Sequence, residues 1–239
     1  WIYDSSTAVA SDGNDLILDD VSITAVAPPG DITWGAVTSV SASSDVSTTG
    51  VLVEAFNAGD TAVLDQTVNT VLFEGTGALL SKNSANDVFS GDTGDAAYNA
   101  LLSSIDYGGG GDLFTISVGN GDLLVGEEYL IQVWYVDTGY SGGTLRTMQF
   151  GDGNGNAVGL ASTPGQFATG TFTATNTDQT LSLHATNFGQ AHITAYQIRQ
   201  TSVPVVLVWD GSTDSTWTNP DTTSWSGATY ADGDDANFA

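Results

Sequence analysis

The chain has 239 residues, and 28 acidic residues against three lysines and arginines give it a formal net charge of −25. Neutralising phosphate groups requires clustered Lys or Arg, so this charge excludes nucleic acid as a partner and disfavours anionic membrane surfaces. No apolar run approaches the ~20 residues that a membrane-spanning helix needs, so no membrane insertion is expected. Without cysteine, the chain forms no disulfide and has no thiol chemistry.

The composition favours an extracellular or cell-surface location. Only 13% of the residues are charged, so the surface consists mainly of Ser, Thr, Asn, Gly and Asp, which is more typical of exported surface proteins than of cytosolic enzymes. The repulsion between so many carboxylates also indicates divalent cations such as Ca²⁺, or a salty medium, as companions.

Short alternating runs separated by Gly, Asp and Asn predict an all-β fold, an antiparallel β-sandwich with many strands. The predicted strands lie at 16–25, 50–56, 70–74, 113–118, 128–136, 144–150, 170–174, 180–186 and 191–200. In EYLIQVWYV, residues 128–136, both alternating faces are largely apolar. This pattern predicts a central strand that is covered on both sides.

One stretch has helical periodicity instead. In DAAYNALLSSIDY, Tyr98, Leu101, Leu102 and Ile105 recur at helical spacing after Asp95, which is a good N-cap residue. Glycines at 108–111 follow and are expected to end it. The prediction is one short helix that caps the sandwich.

A change in composition divides the chain near residue 202. The polar residues 200–202 lead to Pro204, after which the apolar run VVLVW begins. The predicted domains are a jelly-roll β-sandwich at 1–202 and a Trp-rich β segment at 203–239. Beyond the boundary, strand-sized pieces are expected at 205–209, 217–225 and 235–238.

The tail VWDGSTDSTWTNPDTTSWSGATYADGDDANF, residues 208–238, spaces its aromatic residues regularly. It is similar to one unit of the autotransporter-associated β-strand repeat, which has Trp-Asp-Gly after an apolar strand, two further Trp and a Gly-Asp-Asp before a closing Phe. The matching positions are Trp209, Asp210, Gly211, Trp217, Asn219, Trp225, Gly227, Gly233, Asp234, Asp235 and Phe238. The sequence contains one such unit.

A unit of two or three short strands cannot bury three Trp and a Phe by itself, because small isolated sheets are marginal in water. In repeat arrays the neighbouring unit supplies the missing cover. Here the cover is expected to come from the chain's own sandwich or from a neighbouring subunit, and a head-to-tail contact that does not close forms a polymer. The predicted subunit-docking residues are Trp209, Trp217, Trp225 and Phe238.

Residues 31–199 resemble the jelly-roll domains of exported bacterial proteins with galactose-binding-like or malectin-like sandwiches. The stretches that carry the resemblance are ITWGAVTSVSASSDVSTTGVLVEAFN, GEEYLIQVWYVD, GQFATGTFTATNTDQTLSLHA and ITAYQIR. The resemblance implies the sandwich fold, but that class includes both sugar binders and structural modules, so it does not choose a function.

An Asp- and Asn-rich turn is the candidate metal site. In GDGNGNAVG, Asp152, Asn154 and Asn156 occupy alternate positions, so their oxygens can converge on one Ca²⁺ as the loop curls. The loop lacks the closing Glu of an EF-hand, and Asp, Asn and Gly are also ordinary hairpin residues. Both interpretations stay open.

Aromatic side chains on the sandwich are candidates for stacking on sugar rings. Tyr140 in the loop TGYSGG and Trp134 are the principal candidates, with Trp34 and Tyr107 as others. For Trp134, in the middle of a central strand, core packing is the competing interpretation.

No catalytic residues are predicted. The two histidines, His184 and His192, lie on predicted strands, and the chain has no HExxH motif to anchor a metal. The sequence therefore predicts a non-enzymatic secreted structural protein, a self-associating subunit of a surface filament, sheath or matrix. The alternatives are a carbohydrate-binding module with a glycan as its partner, and a passive spacer domain.

Overall fold

The computed structural model describes residues 30–59, 65–75, 80, 83–108, 113–138 and 145–202, and the backbone of 207–209, 225–226 and 236–238. The predicted strand at 16–25 lies outside these residues. One α-helix, α1, spans Ala96–Leu102, and one 3-10 turn spans Ser43–Asp45. The strands are β1 Thr33–Trp34, β2 Thr38–Ser39, β3 Val51–Asn57, β4 Gln66–Val68, β5 Val71–Gly75, β6 Asn83–Ala85, β7 Ile105–Tyr107, β8 Leu113–Val118, β9 Glu128–Tyr135, β10 Thr147–Gly151, β11 Ala157–Ala161, β12 Gln166–Thr173, β13 Gln179–Ala185, β14 His192–Ile193, β15 Ala195–Gln200, β16 Leu207–Trp209, β17 Trp225–Ser226 and β18 Ala236–Phe238.

Two sheets form a β-sandwich, which confirms the predicted fold class. The larger sheet has the order β1-β12-β9-β15-β3-β5-β4, with β2 also paired to β12. The smaller sheet has the order β11-β10-β13-β8. Within both sheets the pairs are antiparallel, except that β3 and β5 run parallel. A small sheet of order β14-β7-β6 lies beside the sandwich, and β17-β16-β18 form a further sheet in the tail.

The main core fills the space between the two sheets. Alternation along each strand sends every second residue inward, and the inward residues are mostly aliphatic or aromatic. The large residues that meet here are Tyr129, Ile131, Val133 and Tyr135 from β9, Met148 and Phe150 from β10, Leu181 and Leu183 from β13, and Tyr196 and Ile198 from β15.

Strand β9 is covered on both faces, as its sequence predicts, and seven of its eight residues are buried. Its second face carries Trp134, which packs with Phe73 and with Tyr98 and Leu102 of α1 in a separate outer cluster. Asp95 caps α1, because its carboxylate accepts hydrogen bonds from the N–H groups of Ala97 and of Tyr98. The helix therefore covers the outer face of the larger sheet.

Two predicted elements differ in extent from their patterns. The helix stops at Leu102, so Ile105 begins β7 and pairs with Ala85 of β6. The predicted strand 191–200 is divided at Thr194, whose N–H donates to the Trp134 carbonyl and whose hydroxyl accepts from the Val136 N–H. This break lets β14 join the small sheet and β15 the larger one. No helix in the described part of the chain has the length and hydropathy of a membrane span.

Candidate functional site

A cleft of about 220 Å³ lies between the small β14-β7-β6 sheet and the ends of two sandwich strands. Asp137 follows β9 by two residues, and Arg146 immediately precedes β10. Tyr107 comes from β7 and His192 from its partner β14, where the two are paired in register. The residues that line the cleft are Ala85, Ile105, Tyr107, Asp137, Arg146, Gln190 and His192.

An ion pair forms the polar side of the cleft. The Arg146 guanidinium donates to the Asp137 carboxylate at 2.9 Å. Both backbones are tied to Ser162, because the Asp137 N–H donates to the Ser162 carbonyl and the Ser162 N–H donates to the Arg146 carbonyl. The guanidinium also lies 5.0 Å from the centre of the Phe188 ring, at cation–π distance. Burial raises the pKa of Asp137 above its ordinary value, although Arg146 opposes the shift.

Buried His192 forms the back wall of the cleft. Its ring centre lies 5.3 Å from that of Tyr107 and 4.9 Å from that of Phe188. Burial, with a smaller contribution from Arg146, lowers the pKa of His192 to about 3, so the imidazole is neutral at pH 7. Its Nδ1 lies 3.5 Å from the hydroxyl of Tyr135. A neutral ring held in this way contributes apolar surface and shape to the cleft.

Among the described residues that line the cleft, one is a carboxylate, that of Asp137. Glycoside hydrolysis generally uses a pair of carboxylates on opposite sides of the scissile bond. The arrangement of one ion pair, one amide and two rings is suited to holding a polar ligand by hydrogen bonds. Tyr107 is one of the aromatic candidates that the sequence offers, whereas no motif in the sequence indicates Asp137, Arg146 or Gln190.

The predicted metal ligands Asp152, Asn154 and Asn156 lie together, but N–H groups surround the carboxylate. Asp152 Oδ1 accepts from the N–H of Asn154 at 2.7 Å and from that of Asn156 at 3.3 Å. Its Oδ2 accepts from the Asn156 side-chain amide at 2.6 Å and from the Ile32 N–H at 3.0 Å. In the described residues, no three His, Cys, Asp or Glu side chains lie close enough together to hold a metal ion. The geometry is that of a carboxylate that joins this loop to the segment before β1.

Calcium binding at this loop stays a prediction, and a thermal unfolding series in EDTA and in calcium chloride tests it. A site here requires a calcium-dependent rise in Tm, by mass action, that Asp152→Asn removes. Because four N–H donors already occupy the carboxylate oxygens, we expect any rise to be the same in both proteins. A rise confined to the wild type would contradict this expectation and locate the ion at the loop.

The two principal sugar-stacking candidates have different outcomes. Trp134 is completely buried, and its Nε1–H donates to the Tyr98 hydroxyl at 3.0 Å. It therefore has no ring face for a ligand, and core packing is its role. Tyr140 lies outside the described residues, in the segment between Asp137 and Arg146. Trp34 is half-buried and lies so close to Gly170 that a Cβ there would come within 2.9 Å of the indole.

The tail strands bring three of the four predicted docking positions into register. Strand β16 pairs antiparallel with β17, where Trp209 is opposite Trp225, and parallel with β18, where Trp209 is opposite Phe238. Directly paired positions lie at one level of a sheet and on the same face. Trp217 lies outside the described residues.

Comparison with known proteins adds little to these observations. No family model matches the chain, and no curated protein matches it. Among solved structures, Bacteroides uniformis β-glucuronidase 2 is 13% identical over 62% of this chain and 17% of its own, with a TM-score of 0.44. A second B. uniformis β-glucuronidase structure is 13% identical over 62% of this chain and 18% of its own, with a TM-score of 0.43. The ANX1 ectodomain from Arabidopsis thaliana is 9% identical over 65% of this chain and 43% of its own, with a TM-score of 0.38. The chain spans less than half of each of these proteins.

Proposed function

We propose that the chain is a non-enzymatic extracellular structural protein, a subunit of a filament, sheath or matrix that is joined through its C-terminal β segment. The register of the tail sheet is the observation that supports this proposal, because it aligns the positions of Trp209, Trp225 and Phe238 across neighbouring strands. Clustered aromatic residues are the usual energetic anchors of protein interfaces.

The small size of the tail sheet supports a need for cover from outside it, by the chain's own sandwich or by a second subunit. Its described strands have three, two and three residues, and small isolated sheets are marginal in water. Several aromatic residues at one level of such a sheet require apolar cover from outside it. A second subunit that supplies this cover, in a head-to-tail contact that does not close, forms a filament.

The sandwich offers a receiving surface that avoids charge repulsion. The outward positions of the smaller sheet carry no carboxylate, in a chain whose net charge is −25. A groove of about 410 Å³ lies on this face, and exposed Leu113 at one side adds apolar surface to it. We propose that this groove binds Trp209, Trp225 and Phe238 of the next subunit.

Light scattering and electron microscopy of the full-length chain test the assembly. The wild type is expected to form particles much larger than a monomer, and the triple variant Trp209→Ser, Trp225→Ser, Phe238→Ser to remain monomeric. Leu113→Glu is expected to reduce assembly as well, because it places a charge in the groove. Val125→Glu is the matched control, since Val125 is 62% and Leu113 60% exposed but Val125 lies outside the groove. A monomeric wild type, or a triple variant that still assembles, would rule the proposal out.

A further inference from the structure

We infer that the cleft lined by Tyr107, Asp137, Arg146, Gln190 and His192 binds one ring of a neutral sugar, such as the terminal residue of a glycan. This inference goes beyond the proposed assembly role, because the described residues that line the cleft all precede residue 203.

The ion pair provides a hydrogen-bond acceptor beside a donor. Asp137 Oδ2 receives the Arg146 guanidinium at 2.9 Å, and a carboxylate can accept further hydrogen bonds on its second oxygen. A guanidinium carries five N–H donors in a fixed plane. Two adjacent sugar hydroxyls match this pair, because one can donate to the carboxylate while its neighbour accepts from the guanidinium.

Two more polar groups face the same space. Tyr107 and Gln190 are both half-buried and line the cleft. Neither side chain has a hydrogen bond to another of the described residues. Their hydroxyl and amide can therefore form hydrogen bonds with a polyhydroxylated ligand in the cleft.

The remaining wall of the cleft is apolar and held in place. Ala85 and Ile105 form part of it, and the rings of Tyr107 and neutral His192 are packed edge to face. A sugar ring has apolar C–H faces as well as hydroxyl edges, so a site with one apolar wall and one polar side matches both. The rigid packing of His192 against Phe188 fixes the position of this wall.

Charge and size define the ligand class. Arg146 and Asp137 compensate each other, so the described residues that line the cleft include no uncompensated cation to attract an anion, and the net charge of −25 repels one. A neutral ligand needs no cation in the cleft and is not repelled by the net charge. The volume of about 220 Å³ is below the ~300–1,000 Å³ of sites for drug-sized ligands. The cleft therefore accommodates a single ring, with the rest of a glycan extending into solvent.

Saturation-transfer NMR on the full-length protein tests this inference. The probes are the methyl glycosides of glucose, galactose, mannose, N-acetylglucosamine and glucuronic acid. We expect transfer to at least one of the four neutral glycosides and weaker transfer to the glucuronide, because of its charge. Absence of transfer to every neutral glycoside, or stronger transfer to the glucuronide, would overturn the inference.

Variants then assign the binding to the cleft. Gln190→Ala and Tyr107→Phe are each expected to weaken binding of the responding glycoside about tenfold, which corresponds to about 1.4 kcal/mol. Thr67→Ala, at an exposed position of β4 that lines neither the cleft nor the groove, is the matched control and is expected to bind as the wild type does. Equal affinity in all three variants would place the sugar elsewhere and contradict the inference. The triple tail variant should still bind, so failure of assembly and failure of sugar binding are distinguishable.

Discussion

Replacing Trp134 with alanine is expected to lower the free energy of unfolding by about 3–5 kcal/mol. The indole is fully buried, at 5.6 Å and an edge-on angle from Phe73 and 6.1 Å from Phe167 between ring centres. Its removal leaves a cavity beneath α1 and takes away the donor to Tyr98. Denaturant unfolding followed by far-UV circular dichroism measures the loss, since it does not depend on tryptophan emission.

A milder substitution at Trp134, with a control at Trp34, separates the contribution of packing from that of hydrogen bonding. Trp134→Phe keeps an aromatic ring but loses the indole N–H. About 1 kcal/mol of the stability that this variant loses is therefore attributable to the missing hydrogen bond to Tyr98. Trp34→Phe is the control for loss of an indole N–H, because Trp34 Nε1 has no hydrogen-bond partner among the described residues. If the free energy of unfolding of Trp134→Ala lay within about 1 kcal/mol of the wild-type value, this cluster would not be what holds α1 to the sheet.

The sequence is informative where one local pattern determines the structure. In β9 the apolar residues on both alternating faces predict a central strand, and the structure covers one face with the smaller sheet and the other with α1. Asp95 is predicted as an N-cap and is one. Both features depend on residues close in the chain, which is why pattern alone identifies them.

Tertiary contacts decide the features that the pattern misses. Ile105 continues the helical spacing, yet it joins β7 because Ala85 on β6 pairs with it. The break at Thr194 depends on the backbone of β9, about sixty positions earlier in the chain. The candidate cleft combines β7, β9, β10 and β14, and no local spacing indicates that Asp137 and Gln190 face one space.

Arg199 illustrates the same limit for a charge. The sequence shows it as one of three scattered cations, without indicating a partner. In the structure it is 7% exposed and donates to the carbonyls of Thr48, Thr49 and Gly50. It therefore fixes the loop before β3 against the outer face of the larger sheet. Every residue has a backbone carbonyl, so the sequence does not indicate which ones accept hydrogen bonds from Arg199, and this role could not be predicted.

Replacing Asp152 with alanine is expected to lower the free energy of unfolding by about 3 kcal/mol at neutral pH. The carboxylate connects the 152–156 loop to the Ile32 N–H, 120 residues away in the chain. Alanine leaves this buried N–H without an acceptor and removes the bonds to Asn154 and Asn156. We expect β1, which follows Ile32 directly, to exchange its amide protons faster in the variant.

The contribution of Asp152 depends on pH with a defined sign. Burial by itself raises the pKa of this carboxyl, but the N–H donors of Asn156, Ile32 and Asn154 outweigh it and hold the pKa below the ordinary value. Such a group stabilises the fold fully above its unfolded pKa of about 3.9, and the stabilisation is lost as the pH falls through the lower folded value. Denaturant unfolding of the wild type and Asp152→Asn should therefore differ most near neutral pH and converge in acid. Glu128→Gln, at an exposed position of β9, is the control for removing a surface carboxylate, and its free energy of unfolding at neutral pH should differ little from that of the wild type. A difference between Asp152→Asn and the wild type that stayed constant into acid would mean that the carboxylate charge contributes nothing to holding the loop.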